Sequence, residues 1–418
     1  MSIQNIKNLS CIIIGASHAG VNCAFALRKE GWEGSITLFD SDPILPYHRP
    51  PLSKTYLTNT DEIEKNILKS SEAYAKSEIT LQLGVKVKAI HPNEKSIVLE
   101  SGVIQFYDKL VLATGARALI PPILGIDSAI NLFPMRTATD SNNIRTTFHK
   151  FNNKRVVVIG GGYIGLETAA SLRKLGATVT ILEREDRILS RVTVPEMSAF
   201  FNQLHHNNGV NIFSHKNVVS IHGSDGHNII QCDDGSSYIA DMIIVGVGIR
   251  VNQELAQEAG LEIENGIKVN PSSQTSDENI YAIGDCTFHY NPHYDCYVRL
   301  ENVQNAVDQA KNAAAAICKK DAIYDTIPWF WSDQYDVKLQ MVGLSKAHNE
   351  ILIRKEIAKS NCFSVWYFKD EQLLAVDAIN NGKAYVLGTK FIKSGQLINK
   401  SKLIDSSSEF NPTNLTSE

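Results

Sequence analysis

The chain lacks close cysteine pairs. Its seven cysteines (Cys11, Cys23, Cys232, Cys286, Cys296, Cys318 and Cys362) are odd in number and widely spaced. That spacing excludes a disulfide framework, a C-x-x-C redox pair and a zinc ligand set. Long apolar runs are missing too: none approaches the roughly 18 residues that a membrane-spanning helix needs. There is no excess of positive charge. Lys and Arg number 41 against 45 Asp and Glu, a formal net charge of −4, so no global basic field points to nucleic acid. The opening residues, MSIQNIKNLS, carry no apolar signal-peptide core. The expectation is a cytoplasmic protein with neither membrane nor nucleic-acid partners. At 43% hydrophobic and 21% charged, the composition is ordinary for a globular chain, and 418 residues suffice for two or three domains.

What is present is a pair of glycine loops. Residues 15–20 read GASHAG after the apolar run CIII, and a helical pattern follows from Val21 to Glu30. The strand SITLF, residues 35–39, comes next, with Asp40 at its tip, 20 residues past Gly20 (40 − 20). That is the separation at which a dinucleotide fold places the carboxylate for a ribose hydroxyl. The central glycine is replaced by Ser17, small enough to let backbone approach a pyrophosphate. The second loop is complete. RVVVIGGGYIG, residues 155–165, supplies Gly160, Gly162 and Gly165, then a helix to Gly176 and a strand over Thr178–Leu182. Glu183 stands 18 residues past Gly165 (183 − 165). A pyrophosphate fits the free N–H groups of such a helix start, and Glu183 would repel a 2′-phosphate, favouring NADH over NADPH. Two loops imply two dinucleotides, one held and one exchanging, as an enzyme needs to pair a flavin with a nicotinamide.

Further segments read PYHRPPLSKTY (46–56), LVLATGAR (110–117), SRVTVPEMSAF (190–200), IYAIGDC (280–286), RLENVQNA (299–306) and PWFWSDQY (328–335). With the two loops, these make the chain resemble the FAD-dependent, NADH-linked ferredoxin reductases of the putidaredoxin reductase and rubredoxin reductase type. That group includes the reductase components of aromatic-ring dioxygenases. The resemblance covers about residues 8–380.

The resemblance implies the following roles. Gly15, Ser17, Ala19 and Gly20 hold the FAD pyrophosphate, and Asp40 holds the adenosine ribose, with Ser41 or Asp42 able to share that task. Arg49 and Lys54 are flavin-side cations, Lys54 pairing with Glu167, which also faces the nicotinamide amide. Thr114, Gly115 and Arg117 close over the FAD, and Asp285 takes the ribityl chain. Glu301 and Val303, with Trp329 and Trp331, border the flavin ring, and which tryptophan touches it is left open. Gly160, Gly162, Tyr163, Ile164, Gly165, Glu183 and Gly248 form the NAD set. His18 and His48 are read as packing or phosphate-loop residues, because hydride transfer needs no general acid or base.

The fold class implied is α/β: two Rossmann-like dinucleotide units plus a C-terminal α+β domain with an antiparallel sheet. The expected FAD domain is discontinuous (1–117 and 247–327). The NAD domain fills 118–246 and the C-terminal domain 328–418, with a loose polar tail from about 405. Where related disulfide reductases, oxidases and peroxidases carry cysteine, PYHRPPLSK has none, so electrons must leave the flavin directly. The partner implied is a two-iron ferredoxin, with a rubredoxin as the alternative. Lys311, Lys319, Lys320 and Lys338 are candidate docking cations for such acidic partners. A redox-responsive binding protein resembling apoptosis-inducing factor, a more distant relative, is the reading from another class.

Overall fold

The computed structural model describes residues 8–151, 154–224, 226–356 and 361–417. The first glycine loop belongs to a five-stranded sheet in the order 280–282, 109–112, 10–14, 35–40, 79–83, every neighbouring pair parallel. The second belongs to another five-stranded parallel sheet, ordered 211–213, 178–182, 155–159, 242–245, 132–134. The strands of the second sheet therefore lie in sequence between Lys109–Leu112 and Ile280–Ala282 of the first. Their central strands are buried along nearly their whole length, from Cys11 to Ile14 and from Val156 to Ile159. That matches the near-continuous Val/Ile runs of sheets covered on both faces.

Helix His18–Glu30 packs on helix Val303–Ile317 through Val21, Ala24 and Leu27 against Ala306, Ala310 and Ala313. Alanines on one face let the helices approach closely and hold the first loop against the sheet. From Trp329 the pattern changes to period two. Five antiparallel strands follow in the order 329–334, 337–343, 372–379, 363–369, 350–355. Helix Gly382–Ser394 covers one face, burying Ala384, Leu387 and Phe391.

The end of the chain corrects the sequence reading. Residues 405–417 are not loose. Phe410 and Leu415 are buried in the core of the C-terminal domain. The Arg354 side chain, itself buried, donates to the carbonyls of Leu403 (3.0 Å), Asp405 (2.8 Å) and Ser408 (3.0 Å). Its guanidinium lies 4.3 Å from the centre of the Phe410 ring. Polar composition concealed two apolar anchors and a buried cation that satisfies three backbone carbonyls. Residue 418 lies outside the described residues.

Candidate active site

One cleft of about 1520 Å³ is lined by residues of both glycine loops, the 46–56 segment and the C-terminal sheet. It exceeds the roughly 300–1,000 Å³ of a pocket for one small molecule, as a site for two dinucleotides must.

The two loops are wired alike. Gly15 N–H donates to Phe39 O at 2.8 Å, and Gly160 N–H to Leu182 O at 2.9 Å. The carboxylate of Asp40 accepts from Ala16 N–H (2.6 Å) and Asp42 N–H (2.8 Å). That of Glu183 accepts from Gly161 N–H (2.6 Å) and Glu185 N–H (2.8 Å). Each carboxylate is thus fixed beside its loop and keeps lone pairs for a ribose. Gly20, Gly160 and Gly165 do not line the cleft. A Cβ on Gly20 would overlap Gly15 O, and one on Gly165 would overlap Gly160 O, so these two glycines let helix meet strand. Ser17 lines the cleft, and its hydroxyl accepts from Arg49 Nε at 2.8 Å.

Arg49 is committed further: its guanidinium also donates to Arg136 O at 2.8 Å. Burial, and then the neighbouring Arg136 guanidinium, lower its basicity. Arg136, which the sequence reading missed, lines the cleft and pairs with Asp285 at 2.8 Å. It lies between the edge strand 132–134 of the second sheet and helix Ala138–Phe148, where no local motif marks it. Thr114 Oγ1 donates to Asn252 O at 2.6 Å, and Asn252 Nδ2 to Thr114 O at 2.8 Å. Arg117 sits at the rim, half-exposed and held by Glu254 at 2.6 Å.

Lys54 and Glu167 meet as expected. Nζ lies 2.7 Å from Oε2, with the lysine mostly and the glutamate fully buried. Glu167 also accepts from Ser53 Oγ and Ser332 Oγ, each at 2.7 Å. One carboxylate therefore gathers groups from the 46–56 segment, helix Tyr163–Lys174 and the C-terminal sheet.

Trp331 lines the cleft, whereas Trp329 does not. Trp329 meets Trp331 in a tilted contact at 5.5 Å and Tyr385 edge-on at 6.1 Å, toward the C-terminal core. The two tryptophans share one face of the strand, two residues apart, and the intervening Phe330, also in the lining, rests against Tyr163 at 4.8 Å. Gly115, Ala19, Ile164, Gly248, Glu301 and Val303 all border the cleft. Lys311, Lys319, Lys320 and Lys338 do not.

His18 lies in the cleft wall, its ring 5.5 Å from that of His48. Burial, then the charges of His48, Arg49 and Arg136, push its pKa down to about 3. It is therefore neutral near pH 7 and unsuited to acid–base work there. Its Nε2 is buried without a hydrogen-bond partner. An orphaned polar atom in the cleft wall, a free helix N-terminus and the fixed carboxylate of Asp40 all fit FAD in the first loop.

Among the described residues, no cysteine lines the cleft. Among the described residues, no helix is long and apolar enough to cross a membrane.

Residues 9–310 match the family model for pyridine nucleotide-disulphide oxidoreductases, and residues 329–413 the model for the reductase C-terminal domain. The chain is 42% identical over 378 residues to putidaredoxin reductase of Pseudomonas putida, covering 89% of each chain. It is 38% identical to the ferredoxin reductase subunit of a 5,5′-dehydrodivanillate O-demethylase of Sphingobium, covering 96% of this chain and 97% of that one. The solved covalent complex of putidaredoxin reductase with putidaredoxin superposes with a TM-score of 0.92 at 39% identity, over 96% of this chain and 97% of that one. The chain belongs to the pyridine nucleotide-disulphide oxidoreductase family, among its FAD- and NADH-dependent reductases of small iron–sulfur proteins.

Proposed function

We propose that the protein takes hydride from NADH and supplies electrons one at a time to a two-iron ferredoxin that serves an oxygenase. The observation that carries this reading is the buried Lys54–Glu167 pair in a cleft between two dinucleotide loops, with no thiol lining it. When bound, FAD supplies the conversion of a two-electron donor into single electrons. The chain's own residues position and stabilise. Lys54 offers a fixed positive charge where negative charge develops on reduction. Glu167 orients Lys54 and presents a carboxylate to the carboxamide of the nicotinamide. Asp40 and Glu183 set the riboses, and Trp331 and Phe330 close one wall against water.

For the acceptor face, Lys338 is the best supported of the four lysines. It is exposed on the strand that pairs with Trp329–Gln334, opposite Asp333. Lys311 is exposed midway along helix Val303–Ile317. Lys319 and Lys320 follow the far end of that 15-residue helix, roughly 20 Å from its cleft-lining N-terminus at 1.5 Å per residue. Lys320 is also held by Glu30 at 2.9 Å.

The test is NADH-driven cytochrome c reduction by the flavin-loaded protein, with and without a two-iron ferredoxin from the same cell. The expected result is a ferredoxin-dependent rise that saturates and falls with salt. A flavin bleached by NADH with no such rise removes that ferredoxin as partner and brings rubredoxin forward.

A further inference from the structure

Glu167 is the end of a buried chain of hydrogen bonds that crosses from the second dinucleotide unit through the C-terminal sheet. Tyr335 O–H points at His205 Nδ1 (3.3 Å), and His205 Nε2 meets Gln334 Oε1 at 2.8 Å. Gln334 Nε2 donates to Ser332 Oγ at 3.2 Å, and Ser332 Oγ donates to Glu167 Oε1 at 2.7 Å. His205, Gln334, Ser332 and Glu167 are each at most 2% exposed.

The donor directions are mutually fixed. Glu167 only accepts, so the Ser332 hydroxyl must donate to it, which leaves the serine oxygen free to accept from the Gln334 amide. The Gln334 carbonyl then requires a proton on His205 Nε2, and Nδ1 is left to accept from Tyr335. Every donor arrow runs toward Glu167. Burial lowers the pKa of His205 to about 4, which keeps it the neutral tautomer that the chain needs. Linked bonds in a dry interior polarise one another.

We propose that Ser332 and Gln334 are positioning residues for the flavin-side cation: by holding Glu167 as a hydrogen-bonded carboxylate they set how much of the Lys54 charge faces the flavin. This rests on Lys54 serving the flavin, as above. Without the Ser332 bond, Glu167 has two donors instead of three and draws Lys54 more strongly to itself. Less positive charge then offsets the charge gained on reduction. The C-terminal sheet, which brings Trp331 to the cleft, thereby acts on the same electrons from the other side.

The experiment compares Lys54→Met, Ser332→Ala, Ser332→Thr and Gln334→Leu, each loaded with FAD, by equilibrium flavin titration and anaerobic flavin reduction by NADH. Lys54→Met sets the full effect. Ser332→Ala should disfavour reduced flavin about tenfold, close to 30 mV for a two-electron couple. It should slow reduction with little change in the apparent Kd for NADH. Gln334→Leu should follow in the same direction more weakly, and Ser332→Thr should restore the potential. If Lys54→Met shifts the potential but flavin-loaded Ser332→Ala and Gln334→Leu do not, the relay is overturned and the role of Lys54 stands. If Lys54→Met leaves the potential unmoved, the role of Lys54 falls and the relay with it.

Discussion

The two glycine loops differ most where they matter least to the fold. The first reads Gly-Ala-Ser-His-Ala-Gly and the second Gly-Gly-Gly-Tyr-Ile-Gly. Yet their turn bonds and carboxylate contacts agree within about 0.1 Å. At the third position a side chain is accommodated: a Cβ on Gly162 would come no closer than 3.9 Å to its nearest neighbour. Ser17 uses that room to bind Arg49. At the second position the loops diverge in the opposite sense. Ala16 is tolerated in the first, whereas a Cβ on Gly161 would lie 2.6 Å from Ile188 Cγ2 and 2.9 Å from Glu183 Oε2. The missing middle glycine of GASHAG therefore costs the first loop nothing. Neighbouring segments, not the glycine pattern alone, decide which positions are closed. The second loop also has a tether. Leu189, left-handed at φ 57°, donates its N–H to Gly161 O, and Thr193 Oγ1 donates to buried Asp377 at 2.7 Å in the C-terminal domain.

The largest effects should come from the position the loops share. Gly20→Ala is expected to yield protein without flavin. Gly165→Ala should keep its flavin and lose about 100-fold in affinity for NADH, since overpacking of about 3 kcal/mol corresponds to two decades. Flavin content and NADH titration of the two variants check this, and loss of flavin from Gly165→Ala would break the assignment of loops to nucleotides.

The tether is next. Burial pushes the pKa of Asp377 up to about 6, against the hydrogen bonds from Tyr367 and Thr193, which lower it. An acid raised in the fold binds its proton more readily than in the unfolded chain. Stability is therefore gained as pH falls through about 6 toward the unfolded value near 4, and the gain is missing above about 6. Asp377→Asn should remove that dependence and raise stability at pH 8 by up to about 3 kcal/mol, measured by denaturant unfolding at pH 5 and pH 8.

Smaller effects separate the loops directly. Gly161→Ala, which copies the first loop into the second, should weaken NADH binding about tenfold, as Ile188 and Glu183 shift by a few tenths of an ångström. Gly162→Ser should change it less than about threefold, because the space exists. Equal losses in both would contradict the positional argument. Glu183→Gln should reduce the preference for NADH over NADPH, in kcat/KM, by about tenfold through loss of one like charge.

Much of this was legible in the sequence because the nucleotide loops and their acids are local. Strand, turn, helix and terminal carboxylate lie within some thirty residues, and periodicity exposes them. Lys54 and Glu167 are far apart in the chain, and their pairing came through resemblance. Arg136, Asn252 and Phe330, which line the cleft, and Ser332, which reaches Glu167, were missed for a physical reason: tertiary packing alone gives each its partners. The tail was misjudged because Phe410 and Leu415 stand singly among polar residues, and the cation that organises them, Arg354, is about sixty residues earlier.

The most direct measurement of the central claim is anaerobic titration of the flavin-loaded protein with NADH, followed by mixing with an oxidised two-iron ferredoxin. The account predicts that one NADH reduces one flavin completely, with no further reducing equivalents taken up by thiols, and that two ferredoxins are then reduced per NADH. A second NADH consumed before the flavin is fully reduced, or a reduced flavin that yields nothing to any small iron–sulfur protein, would contradict it.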